Sequence, residues 1–177
     1  FDFSKPVDGS NPATDWQGLH TVDESIIILN PGTGWIQNCN STPFTAAAEF
    51  SPKKEDYPAY MAPDAENYRG IHAMKVLTEL QGKLNLDSFL QLAYDPYLPA
   101  FQYLIPELIS AYQNTTGSQD AGQAIEILKN WDLRTSKESV AMSIAHFYGE
   151  NYQRKFRSMN RFINEMPNAK VPSSQEL

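Results

Sequence analysis

At Pro63 the chain changes period, and most of what it can become follows from that change. Residues 1–24 hold Pro6, Gly9 and Pro12 among Asp, Asn and Ser without periodicity, so they read as an irregular connector, which Trp16, Leu19 and Val22 are expected to tack onto the body. Residues 44–63 mix alanines, charges and prolines and predict an irregular loop with at most one helical turn. Beyond Pro63 the apolar spacing is helical. A helix is expected from Asp64 or Ala65 through Leu80, with Tyr68 and Ile71 about a turn apart and Gly82 as its stop. A short helix at Ser88–Tyr94 follows, capped near Leu86 or Asp87. Phe101, Leu104, Ile105, Leu108, Ala111 and Tyr112 make a wide core face, on a helix that Pro106 is expected to bend. Ala121–Trp131 predicts another helix. Thr135-Ser136-Lys137-Glu138 matches a capping box opening a long helix towards Met166, with Arg154, Lys155, Arg157 and Arg161 as a solvated basic end. Residues 64–167 are therefore a helical region, and 168–177 a disordered tail.

The stretch 25–43, SIIILNPGTGWIQNCNSTP, is the exception to that plan. Ile26–Leu29 is a β-branched run of strand length, and Trp35-Ile36-Gln37 resumes an extended pattern after Asn30-Pro31-Gly32-Thr33-Gly34. Proline followed by glycine suits a tight turn, so a short β-hairpin is predicted. The expected fold class is mainly α with a short N-terminal β-hairpin. Asn38, Cys39, Asn40 and Ser41 then end the second strand. Asparagine is a poor strand former, so these residues are either a polar turn bonded to its own backbone or carboxamides presented to something else.

Bulk properties narrow the class. At 177 residues, 41% hydrophobic and 20% charged, the chain is long enough for one globular domain. A formal net charge of -7 argues against general nucleic-acid binding, and no apolar run has the length of a membrane span. His20, His72 and His146 are far apart and Cys39 is alone, so no metal spacing and no internal disulfide are expected. Cys39 reads as a small, partly buried thiol rather than a nucleophile.

Gly34-Trp35-Ile36-Gln37-Asn38-Cys39-Asn40-Ser41-Thr42-Pro43, followed by Glu55-Asp56-Tyr57-Pro58-Ala59, resembles the asparagine segment of the penicillin acylase and acyl-homoserine lactone acylase family. Tyr94-Asp95, the Leu98–Tyr112 stretch and Ile127–Asp132 are similar to the helical part that follows in the same β-subunit, so the resemblance runs from about Trp16 to about Tyr152. It implies an N-terminal-nucleophile hydrolase with an α/β/β/α sandwich in the intact protein. It further implies cleavage of N-acyl amides by an N-terminal Ser, Thr or Cys whose own α-amine is the base. Phe1 is none of these, and Ser4 and Ser10 are internal, so the chain is expected to be an internal portion of the β-subunit, inactive by itself.

By the same resemblance Asn40 corresponds to the oxyanion donor and Arg69 to an arginine near the active site. Phe44, Phe50 and Tyr57 are expected to wall an acyl or aromatic group, or simply to cover the core. Family members hold a calcium ion between subunits. Asp56 and Asp64 lie in the relevant neighbourhood, neither is assignable, and no metal is expected in this portion. The implied partners are an N-acyl amide and the remaining α- and β-chain segments of one precursor, and the implied location is periplasmic or secreted. The competing reading is a helical binding domain without chemistry, its asparagine turn purely structural.

Overall fold

The computed structural model describes residues 5–80, 84–115 and 119–165, with side chains described as far as Phe156. The chain divides into two compact units, 1–85 and 86–177.

The first unit is built from short 3₁₀ helices at Pro12–Thr14, Val22–Glu24, Pro43–Thr45, Ala48–Phe50 and Lys54–Asp56, followed by one α-helix, α1 (Tyr68–Thr78). Local side-chain bonds start the first of these: Asn11 Oδ1 accepts from the Ala13 N–H at 3.0 Å, and Pro12 occupies the position whose N–H has no helical partner anyway. At Val22–Glu24 the Glu24 carboxylate reaches back to the Thr21 N–H at 2.8 Å. That bond, seconded by the Thr21 hydroxyl, holds Glu24 below its usual carboxylate pKa.

No sheet forms among the described residues, and the expected hairpin is absent. Its turn is present, since Gly34 donates to the Pro31 carbonyl at 2.9 Å, with Asn30 at φ +48° and Gly34 at φ +75°. Phe50 lies over Gly32, where a Cβ would stand 2.4 Å from its ring and require the half-exposed ring to shift. The flanking runs do not pair. Gln37 gives its N–H to the Ala46 carbonyl at 2.9 Å instead of to a strand, and Leu29 is 81% exposed. A β-branched run becomes a strand only when it has a ladder partner, and Ile26–Leu29 has none among the described residues, although Ile26 and Ile28 are half-buried. The same holds for the expected anchors of the connector. Trp16 is 83% exposed and Leu19 and Val22 are comparably open, so they do not tack it down.

The second unit contains α2 (Leu86–Ala93), α3 (Pro99–Gln113), α4 (Gln119–Lys129) and α5 (Val140–Glu165). Its core is Ile105 of α3, Leu128 of α4 and Ala145 of α5, with Phe101, Leu108, Ile109, Trp131, Leu133 and Ile144 packed around them. Small residues set the approach. Ala141 and Ala145 are buried on α5, and at Gly149, one turn further, a Cβ would stand 3.2 Å from the Phe101 ring. At Gly122 of α4 a Cβ would stand 2.7 Å from the Tyr112 hydroxyl of α3. Burying a leucine such as Leu128 contributes about 1.5–3 kcal/mol, so this triad anchors the unit.

Two connections are tied together at the edge of that core. Leu98 donates to the Leu133 carbonyl and Thr135 to the Pro96 carbonyl, both at 2.9 Å. Arg134 reaches Asp95 Oδ2 at 3.0 Å with its guanidinium 5.9 Å from the Tyr97 ring centre, while Trp131 Nε1 donates to the Arg134 carbonyl at 3.0 Å. The Tyr94-Asp95 and Trp131-Asp132 pairs of the sequence thus lie on either side of one clasp.

Helix boundaries moved where a better cap was available. The α5 cap is Ser139, whose Oγ accepts from the Met142 N–H at 3.1 Å, and not Thr135. Pro106 sits inside α3, which runs unbroken from Pro99 to Gln113. The expected stop at Gly82 and the 168–177 tail lie outside the described residues.

Candidate functional site

The site is assembled where the Asn38–Ser41 turn meets the start of α1. Asn38 Oδ1 accepts from the Asn40 N–H at 3.0 Å, an Asx-type turn that lets Asn40 take φ +54° in the left-handed region. Asparagine tolerates that region better than other non-glycine residues because its short polar side chain bonds locally. The chain then leaves through Thr42, whose Oγ1 accepts from the Phe44 N–H at 3.4 Å and whose N–H donates to the Ala65 carbonyl at 3.3 Å. The turn therefore reads as both alternatives at once: its backbone is locally bonded, and one carboxamide projects from it.

Helix α1 begins four residues after Asp64, because Asn67 is its cap. Asn67 Oδ1 accepts from the Gly70 N–H at 2.9 Å, and its Nδ2 donates to the carbonyls of Cys39 at 3.0 Å and Asn40 at 3.1 Å. Glu66, just before the cap, accepts from the Thr45 hydroxyl and from the Asn67 N–H. Gly70 is buried against this junction, where a Cβ would lie 2.6 Å from Glu66 Oε1 and 2.7 Å from Ser41 Oγ.

Arg69 lies in the first turn of α1, where a cation opposes the helix dipole. Among the described residues no carboxylate pairs with it. Its Nη1 and Nη2 both point to Asn40 Oδ1, each at 3.4 Å, long contacts that place the fork of the guanidinium on the amide oxygen. The partner it meets is thus a neutral carboxamide. With Oδ1 so occupied, nothing among the described residues accepts from Asn40 Nδ2, which is left to bond an external acceptor.

The structure brings Asn40 and Arg69 together across 29 positions of sequence. The expected aromatic wall is split: Phe44 and Tyr57 face each other with ring centres 6.1 Å apart, while Phe50 covers Gly32. Cys39 is a free, half-buried thiol. His20 is exposed, with Nε2 2.5 Å from the Tyr60 hydroxyl and Nδ1 3.4 Å from Glu24. Among the described residues no three of His, Cys, Asp and Glu converge as a metal site. No helix among them is long and apolar enough to cross a membrane.

Asn67, Glu66 and Gly70 were not anticipated. An asparagine three residues before a glycine at the onset of helical period is a cap signal, which the nearer Pro63-Asp64 pair obscured.

The left-handed turn thus presents one carboxamide whose Oδ1 meets a guanidinium and whose Nδ2 has no acceptor among the described residues. A model of the penicillin amidase family matches residues 2–175. The chain belongs to that family, which is one of acylase-type amide hydrolases.

Proposed function

We propose that this chain carries the oxyanion-stabilising part of an acylase that cleaves N-acyl amides through an acyl-enzyme intermediate. Asn40 donates from Nδ2 to the oxygen that becomes negative when the amide carbonyl is attacked. Arg69 acts on Asn40 and not on the substrate: bonded to Oδ1, it turns Nδ2 outward and draws charge from the amide, which makes the N–H a better donor. An arginine stays protonated at any relevant pH, so it serves as this fixed charge and not as a base. The observation that supports this most directly is the double approach of the guanidinium to Asn40 Oδ1 with Nδ2 unbonded.

The attacking group is an N-terminal Ser, Thr or Cys from outside these residues, with its α-amine as base. Within the site neither Cys39 nor Ser41 has a hydrogen-bonded base, and Ser41 Oγ is buried without a partner. The Phe44–Tyr57 pair receives the acyl group, and the other precursor segments complete the pocket in a periplasmic or secreted enzyme.

The test is Asn40→Ala in the full-length precursor, read by intact mass and by turnover of N-acyl amides. Loss of one oxyanion donor costs about 10²–10³ in kcat. A correctly matured Asn40→Ala enzyme with kcat near the parent's would remove Asn40 from this role.

A further inference from the structure

We infer that Asn67 is the positioning residue of this site: one carboxamide both starts α1 and fixes the backbone of Asn40. The inference rests on Asn40 being the oxyanion donor proposed above, and it concerns what holds that donor in place. The two carbonyls that Asn67 Nδ2 binds, Cys39 at 3.0 Å and Asn40 at 3.1 Å, lie on the two sides of the Asn40 α-carbon. Pinning both fixes φ and ψ of that one residue together. The residue so fixed is the one at φ +54°, in the left-handed region that the Asn38 turn also favours and that residues with a Cβ adopt less readily than glycine.

The other end of the same amide completes the device. Asn67 Oδ1 takes the Gly70 N–H at 2.9 Å, so the helix start carrying Arg69 is registered against the turn carrying Asn40 through a single planar group. Three of its four hydrogen-bonding positions are used: both N–H donors and one lone pair of the carbonyl oxygen. An amide group is required, since the task needs an acceptor towards the helix and two donors towards the turn. Aspartate would satisfy the helix and fail the turn, being an acceptor only when ionised.

That difference gives the experiment. Asn67→Asp in the full-length, matured enzyme keeps a good cap for α1, since Asp and Asn cap about equally well. It removes both donors to the turn and sets a charge against two carbonyls. If Asn67 only caps the helix, Asn67→Asp leaves kcat within about twofold of the parent, and that result overturns the inference. If it positions Asn40, kcat for an N-acyl amide falls about tenfold to a hundredfold with KM changed little, as expected when a reacting group is misplaced by about an ångström. Asn67→Ser, which keeps a cap oxygen but has one donor too short to span both carbonyls, is the second variant should Asn67→Asp fail to fold. It is expected to show a kcat loss of the same sign, and parental kcat in it also overturns the inference. Asn40→Ala run in parallel separates the two claims. Should it retain full turnover, the oxyanion reading fails, and a crystal structure of the Asn67→Asp enzyme still decides positioning. Departure of Asn40 from positive φ with loss of the Arg69 contact supports it; an unchanged turn overturns it.

Discussion

Gly70→Ala measures how closely α1 is docked on the 38–41 turn, because two effects of opposite sign compete there. As a helix substitution it should help: alanine gains up to about 1 kcal/mol over glycine in a helix interior, and less in a first turn. The added Cβ would stand 2.6 Å from Glu66 Oε1, 2.7 Å from Ser41 Oγ and 3.2 Å from Ser41 Cβ. Ser41 Oγ holds no hydrogen bond, so rotating it away is cheap. Glu66 is less free, since its two oxygens accept from the Thr45 hydroxyl and the Asn67 N–H, and each such bond is worth about 0.5–1.5 kcal/mol net. Ser41 Cβ can retreat only with its backbone. Overpacking by a methyl in a close contact costs about 1–3 kcal/mol. Subtracting a first-turn gain of about 0.5 kcal/mol leaves α1 less firmly docked by about 0.5–2.5 kcal/mol, a factor of about 2–70 in local opening. Amide hydrogen exchange of Ile71 to Thr78 reads this directly, as a loss of protection of that size. Ser41→Gly combined with Gly70→Ala removes two of the three close contacts and should restore part of it. Protection in Gly70→Ala equal to or above the parent's would show that propensity wins and that the approach is looser than described.

Two further outcomes concern the second unit. Leu128→Ala empties the centre of its three-helix core, where Leu128 is only 2% exposed, and should lower stability by about 2–5 kcal/mol in denaturant unfolding; a loss below about 1 kcal/mol would mean the core re-closes around the gap. Burial, with smaller contributions from the nearby Tyr152 and Glu107, raises the pKa of Tyr148. A folded-state pKa above the unfolded value near about 10 means this contribution is fully present below that pH and is lost as pH rises through the folded value. Tyr148→Phe should therefore flatten the alkaline decline of stability, and an alkaline limb identical to the parent's would count against burial as the cause.

What the sequence disclosed and what it concealed divide along the range of the interactions. The α-helices follow from apolar spacing that each segment carries within itself, so α1 to α5 could be placed from their own residues, with errors only at the caps. The turn at Pro31–Gly34 was equally local. The hairpin was not, because Ile26–Leu29 has the composition of a strand and lacks a partner, and pairing is a property of two segments that neither one encodes alone. Arg69 shows the same limit at the site. Its position in a helical segment was legible, but the electron-rich partner that its guanidinium meets, the amide oxygen of Asn40, lies 29 positions away. The resemblance in the asparagine segment named both residues without explaining why they meet. Asn67 explains it: a residue whose local signal says only helix cap also spans the turn, and the second half of its work appears in no window of sequence. The chemistry of the site therefore depends on a group that capping preferences alone would regard as exchangeable with aspartate, and it is the exchange with aspartate that separates the two roles.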